Sequence, residues 1–366
     1  MDWDNFLRCC ELQHEDPGSN EIFNQRADLN ENVYPHGVGM ADMEARNSVD
    51  SNNVKRLRDL QWDTSIQSRF TSDFTPIECI GTGSFGCVIK AMDKMLKKYY
   101  AVKIVRCHEK CLREAEALSD LHHRNIVRYY TSWMDDSEFP LALVRHLQPS
   151  SSRKFLYIQM ELCDTKTLRH WINKKNTDSL QDSKRREESL SIALQILSGV
   201  EYIHLKKHIH RDLKPENILF GLDGELKIGD FGLVTIDDKD EDSPEWATHR
   251  TPNIGTPIYR APEQEREEKY DRKVDIFPLG LIYLELLWNL STDIFTRVEV
   301  MGDARSQRLP KEFSQAFPQE DQIIRSMLRK KPRDRPEAST LRAELDKWTQ
   351  TCSAQNQCQD DDICLL

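Results

Sequence analysis

Three glycines, Gly81, Gly83 and Gly86 in "IGTGSFGCV", stand at GxGxxG spacing between two stretches rich in β-branched residues. Lacking side chains, they let backbone amides come close to a polyphosphate. Alone, the spacing also fits an ordinary glycine-rich hairpin. It does not fit a dinucleotide site of the strand–glycine–helix type, because a strand pattern follows the glycines. Seventeen residues after Gly86, Lys103 sits inside the apolar stretch "YYAVKIV". An ammonium group there costs free energy unless opposite charge meets it, and phosphate oxygens would do so. Eleven residues on, Glu114 in "REAEAL" can pair with it. In "HIHRDLKPENILF", Asp212 and Asn217 are five apart with Lys214 between them. A carboxylate can orient an attacking hydroxyl and accept its proton, and a lysine can neutralise charge on a moving phosphate. The carboxamide oxygen of Asn217 can bind Mg2+, and Asp230 in "GDFG", eighteen residues after Asp212, offers a second hard oxygen ligand.

The elements that must position these groups divide the chain. "FTPIECIG", "GCVIKAM", "YYAVKIV" and "KFLYIQMEL" read as strands, and "EKCLREAEALSDLH" as a helix. These make a small strand-rich lobe, interrupted by a polar insertion at about residues 134–153. The second half is helical. "ESLSIALQILSGVEYIH" sets Leu190, Ala193, Leu194, Leu197 and Val200 on one face, and further helices follow in "VDIFPLGLIYLELLW", "EDQIIRSMLRK" and "ASTLRAELDKW". The expected class is α+β with two lobes. Residues 1–68 are acidic and broken by turn residues, which predicts a mostly disordered segment with at most a short helix at "VKRLRDLQW". The polar tail 351–366 is expected to fray.

Composition excludes several classes. A net charge of −10 over 366 residues argues against a dominantly basic nucleic-acid binder. Ten cysteines form no CxxC pair, and the 11 histidines show no zinc spacing, so free thiols in a reducing compartment are expected. The acidic start "MDWDNFLRCC" lacks the features of a signal peptide. The most apolar stretch, "DIFPLGLIYLELLWNL", is short and broken by Glu285. A soluble, cytoplasmic protein without membrane contact is expected.

Glycine loop, strand lysine, "HRDLKPEN" and "DFG", in this order and spacing, resemble the eukaryotic protein kinases over roughly residues 69–350. The resemblance implies a bilobal fold, a small lobe at 69–163 and a larger one at 164–350, with ATP and Mg2+ as cofactors. ATP would lie against Ile80, Gly81, Thr82, Gly83, Ser84, Phe85, Gly86, Val88 and Ala101, with Met160 at the gate and the backbone from Glu161 to Cys163 receiving adenine. Lys103, held by Glu114, would contact the phosphates. Asp212 would be the catalytic base, Lys214 would steady the γ-phosphate, and Asn217 and Asp230 would hold magnesium. Asp275 would anchor the catalytic loop, and Arg335 would anchor Glu263. Pro278 departs from the family, which usually has a small non-proline residue there. Lys214 after "HRDL" and Thr256 before "APE" match the serine/threonine kinases.

"FLYIQMELCDTKTLRHWI", "KIGDFGLVT" and "GTPIYRAPEQ" are similar to the kinases of the translation initiation factor 2 alpha subunit. They are most like the interferon-induced, double-stranded-RNA-activated branch and its Z-nucleic-acid-binding relative in fishes. This implies that factor as substrate, repression of translation in stress or antiviral response, and a back-to-back homodimer through Arg69, Asp73 and Tyr129. It implies substrate docking at Thr292. The nucleic-acid-binding modules of that branch have no counterpart in the acidic first 68 residues, where "KRLR" is the only basic cluster, so direct nucleic-acid binding by this chain is not expected. An active kinase with another substrate and a pseudokinase scaffold remain alternatives.

"THRTPNIGT" then separates into three roles. Thr256 is expected near Asp212 and Lys214. Thr251 aligns with the family's activating phosphosite, where a phosphate would pair with Arg211 and order the loop. Thr248 is an ordinary loop residue.

Overall fold

The alternating stretches of the first half pair into one antiparallel sheet. In the computed structural model, residues 68–83, 86–106, 112–136, 154–177, 182–237, 256–265, 270–290 and 294–349 are described. A short helix, α1 (Arg69–Asp73), leads into β1 (Phe74–Gly83), followed by β2 (Gly86–Asp93), β3 (Tyr99–Arg106), helix α2 (Leu112–Asp120), β4 (Tyr129–Asp135) and β5 (Phe155–Glu161). The strand order is β1-β2-β3-β5-β4. Lys103 lies mid-strand in β3, opposite Val88 of β2 and Ile158 of β5. The polar insertion starts later than expected, because residues 134 and 135 continue β4. The remainder of the insertion lies outside the described residues, as do the segment before Ser68 and the tail.

Helix α1 was not foreseen. Ser68 and Thr71 form a reciprocal capping box at its start, satisfying two amides that a helix end leaves open. Phe70 stacks on Tyr157 at 5.6 Å, and Phe74 stacks on Trp133 at 5.9 Å, so aromatic packing pins the helix to the sheet.

The second half comprises β6 (Cys163–Thr167), α3 (Leu168–Thr177), α4 (Asp182–Leu205), β7 (His208–Ile209), β8 (Ile218–Gly221), β9 (Leu226–Ile228), β10 (Thr235–Ile236), α5 (Ile276–Leu287), α6 (Ile294–Arg305), α7 (Lys311–Ala316), α8 (Pro318–Met327) and a last helix, α9, at residues 338–349. Small sheets β6-β8-β9 and β7-β10 carry the connecting loops. The apolar stripe of α4 differs from the expected one. Ala193, Leu197 and Val200 are buried as predicted, but Leu190 and Leu194 are only partly so. Ile192, Ile196 and Ile203 complete the buried face. The chosen spacing followed one edge of a stripe that is wider than a single i, i+3, i+4 track.

Helix α5 is buried along its whole length, which explains its nearly unbroken apolar sequence. Pro278 is its third residue. The first four amides of a helix have no partner within it, so the missing N–H costs no helical hydrogen bond. Glu285, which interrupts the apolar run, is 1% exposed and is met by the guanidinium groups of Arg169 and Arg297. Among the described residues no helix is long and apolar enough to cross a membrane.

Candidate active site

The two halves of the chemistry meet in a cleft of about 360 Å3. Its roof comes from the β1–β2 hairpin and β3: Ile80, Gly81, Thr82, Gly86, Val88 and Ala101 line it, positions that the kinase resemblance assigns to ATP. Gly86 is required by close approach, since its φ is +148° and an added Cβ would sit 2.1 Å from the Ile104 carbonyl oxygen. At Gly81 a Cβ would meet only Val88 at 3.7 Å, so a side chain there would occupy the cleft itself. Gly83 pairs with Gly86 across the hairpin, and Ser84 and Phe85 lie outside the described residues. Met160, Glu161 and Cys163, at the junction of β5 and β6, line the far wall. Burial, then the nearby Glu161 carboxylate, push the Cys163 thiol up to about 12, which leaves it a weak nucleophile.

Lys103 brings three elements together. Its ammonium donates to both carboxylate oxygens of Glu114 at 2.7 and 2.9 Å and to Asp230 Oδ1 at 2.9 Å. Burial favours the neutral amine, but the two carboxylates outweigh it and hold Lys103 above the ordinary lysine value. The same contact holds Asp230 below the ordinary carboxylate value against the opposing effect of burial. Strand β3, helix α2 and the segment after β9 are thereby locked through one cation.

The loop between β7 and β8 carries the remaining groups. Asp212 Oδ1 accepts from the backbone N–H of Thr256 at 2.9 Å and from its hydroxyl at 3.2 Å. Asp212 Oδ2 accepts from Asn217 Nδ2 at 3.0 Å and lies 3.0 Å from Lys214 Nζ. Lys214 also donates to the Thr256 hydroxyl at 2.7 Å. Thr256 therefore sits where the sequence places it, and its hydroxyl marks a position in reach of both the carboxylate and the ammonium.

Asp275 holds this loop from below. Its carboxylate accepts from the backbone N–H groups of His210 and Arg211 at 2.9 and 2.8 Å, and from His204 Nε2 at 2.9 Å. Burial opposes its ionisation, yet these partners keep it below the ordinary value. Arg211 and Asp230 both occupy the left-handed region, at φ 71° and 56°. Non-glycine residues held there store strain, which the Asp275 and Lys103 contacts must offset. The Arg211 side chain donates to the Leu233 carbonyl at 2.6 Å and to the Tyr270 hydroxyl at 3.2 Å. Thr251, Thr248 and Thr292 lie outside the described residues.

The oxygen donors suit a hard cation such as magnesium. Asn217 spends its amide nitrogen on Asp212, which turns its carbonyl oxygen to other use. Asp230 gives Oδ1 to Lys103 and keeps Oδ2 for another partner. Both residues line the cleft.

Sequence reasoning missed Val127, Leu219 and Glu216, which also line it. Leu219 follows Asn217 by two residues as the second residue of β8, so period-two alternation could have found it. Val127 reaches the site through an isolated pairing of Ile126 with Ile228, which leaves no local pattern.

Arg69 and Asp73 face each other on α1, with Arg69 Nε 3.5 Å from Asp73 Oδ2 and both about half exposed. Tyr129 begins β4 and donates its hydroxyl to Ser132 at 3.0 Å. The Arg69–Asp73 ion pair thus joins two of the three residues expected at the dimer face.

A strand-rich lobe, a helical lobe and a lysine-, aspartate- and asparagine-lined cleft between β1–β3 and the β7–β9 loops define the architecture of a protein kinase. The protein kinase domain family matches residues 74–345, and the chain belongs to that family. It is 38% identical, over 87% of its length, to the interferon-induced, double-stranded RNA-activated protein kinase of Mus musculus, of which it covers 58%. It is 44% identical over 56% of its length to eukaryotic translation initiation factor 2-alpha kinase 3 of Rattus norvegicus, covering 19% of that protein. It is 29% identical over 75% of its length to an eIF-2-alpha kinase of Arabidopsis thaliana, covering 25%. The chain thus spans less than two thirds of each of these relatives. The resemblance to the initiation factor 2 alpha kinases is borne out at the level of family.

Proposed function

We propose that the chain is an active serine/threonine kinase that transfers the γ-phosphate of ATP to a serine of initiation factor 2 alpha. The observation that carries the activity is the Lys103 ammonium held at once by Glu114 and Asp230, beside an Asp212 carboxylate in reach of the Thr256 hydroxyl. A pseudokinase would have lost part of this set. In this reading Lys103 binds the phosphates, Asp212 receives the acceptor proton and Lys214 follows the moving phosphoryl group. Magnesium on Asn217 and Asp230 would supply charge neutralisation of the polyphosphate. The hydrophobic walls from Ile80, Val88, Ala101 and Met160 sandwich the base, and the backbone of Glu161 to Cys163 binds its edge.

The names of two relatives, kinases of initiation factor 2 alpha, support the substrate, and the proposal extends to repression of translation in the cytoplasm during stress or antiviral response. The kinase domain is assigned to residues 69–350, Thr251 to activation through a phosphate on Arg211, and Thr292 to substrate docking. In an assay with purified initiation factor 2 alpha, the wild type labels the factor and Lys103→Arg does not. Thr251→Ala preincubated with ATP stays far below wild type, and Thr248→Ala matches it. Labelling of the chain itself without the factor would retain the kinase and remove the substrate. Equal activity of Thr251→Ala and wild type would remove the switch.

The dimer is proposed through Arg69, Asp73 and Tyr129. The Arg69–Asp73 pair supports it, because a half-exposed ion pair on a rigid helix can exchange partners between two copies at little cost. Asp73→Arg places two like charges on that face and lowers self-association in sedimentation. Unchanged association of this variant would overturn the assignment.

A further inference from the structure

We propose that Arg169 is a specificity-determining residue: it fills, from within the chain, an acidic pocket beside the acceptor position and closes it to a basic side chain of the protein substrate. This rests on the kinase reading of the cleft.

The side-chain cluster that Arg169 completes has two carboxylates. Glu216 follows Asp212 by four residues, lines the cleft and is 31% exposed at its side chain. Glu285 lies beneath it in α5. Arg169, from α3, joins them: Nε donates to Glu216 Oε1 at 2.7 Å, and Nη2 and Nη1 donate to Glu285 at 3.0 and 3.3 Å. Tyr259 donates its hydroxyl to Glu285 Oε2 at 2.6 Å and accepts from Arg169. Arg297 of α6 completes the cluster at 2.7 Å from Glu285 and 3.1 Å from the Tyr259 hydroxyl.

The position relative to the reaction follows from chain connectivity. A hydroxyl reaching Asp212 arrives where the Thr256 hydroxyl now lies. From Thr256 the chain runs three residues to Tyr259, and from Asp212 it runs four to Glu216. Arg169 ties these two arms together, holding Glu216 on one and the Tyr259 hydroxyl on the other, which sets it beside a segment that presents a serine to Asp212. Arg297 serves Glu285 and Tyr259, so among the described residues Arg169 is the only cation on Glu216. Glu216 Oε2 is buried with no hydrogen-bond partner among the described residues. Arg169 holds the carboxylate through Oε1 and Oε2 is shut away beside it, so a further guanidinium reaches Glu216 only when Arg169 is removed. With Arg169 in place the cluster is charge-balanced, and an arginine near the substrate serine gains nothing there.

The test compares two labelled serine peptides, one with arginines around the serine and one with alanines, by fluorescence polarisation. Wild type binds both alike. Arg169→Met prefers the arginine peptide by about tenfold, the value of one charge-assisted hydrogen bond. Adding Glu216→Gln to Arg169→Met removes that preference. Arg169→Gln, which keeps an amide donor for Glu285, replaces Arg169→Met if the latter does not melt cooperatively. A purely structural Arg169 would weaken both peptides equally, and an unchanged ratio overturns the proposal. So does a gain that survives Glu216→Gln. Phosphotransfer onto the same peptides is scored in parallel. Absence of both peptide labelling and self-labelling in wild type overturns the kinase reading, while the binding ratio still decides the role of Arg169.

Discussion

Asp212→Asn lowers the rate of phosphotransfer by roughly 10²–10⁴ and leaves ATP binding close to wild type. The substitution is nearly isosteric. An amide oxygen can still accept from the Thr256 N–H, and Asn217, which loses its bond to Oδ2, keeps the one to the backbone carbonyl of residue 212, so the loop keeps its shape. What is lost is the ability to take a proton and the negative charge that balances Lys214, 3.0 Å away. The nucleotide side of the cleft is untouched, because Lys103 is held by Glu114 and Asp230 and makes no contact with Asp212. Rate at saturating ATP, read against a nucleotide-binding titration, separates the two effects. A rate within tenfold of wild type would mean that Asp212 only positions the loop, and a parallel loss of ATP affinity would mean that the loop had collapsed.

The reach of the sequence depended on how local the physics was. Strand alternation and glycine spacing are local, and β1, β2, β3 and β5 formed where they were expected. The candidate site residues came from motifs whose order and spacing resemble the protein kinases, and the structure gathers Lys103, Glu114 and Asp230 at one point and Asp212, Lys214 and Asn217 at another. Contacts set by tertiary packing were less so. Asp275 was expected as an anchor, but nothing near it in sequence names His204, seventy-one residues away, as the third ligand of its carboxylate. Helix α1 is too short for periodicity to reveal and is stabilised by a capping box and an aromatic stack. Glu285 read as an interruption of an apolar run, because its partners Arg169 and Arg297 come from α3 and α6. The stripe on α4 was misplaced at Leu190 and Leu194 because several elements pack against that helix, and its buried face is wider than one i, i+3, i+4 track.

Glu263→Gln destabilises the fold, lowering the melting midpoint by roughly 5–15 °C, as removal of one partner from a buried ion pair does. The Arg335 side chain is 0% exposed and Glu263 7%. The guanidinium makes two bonds to the carboxylate, at 2.5 and 2.8 Å, and caps the carbonyls of Arg329 and Lys273 at 2.8 and 2.9 Å. It also stacks 5.0 Å from the Phe277 ring at the start of α5. With Glu263 neutralised, a buried cation keeps only neutral acceptors, and its desolvation is no longer offset. Arg335→Met with Glu263→Met removes both charges at once, so the double variant is more stable than the sum of the single losses requires. Asp303→Asn supplies the comparison, because its pair with Arg308 is largely exposed and such pairs contribute little. A midpoint in Glu263→Gln as high as that of Asp303→Asn would show that Arg335 is held by its backbone carbonyls alone. Additive losses in the double variant would show that the two side chains act separately. Since Glu263 closes the segment that begins at Thr256, non-additivity in stability with a matching loss of phosphotransfer would tie the position of the acceptor site to this pair.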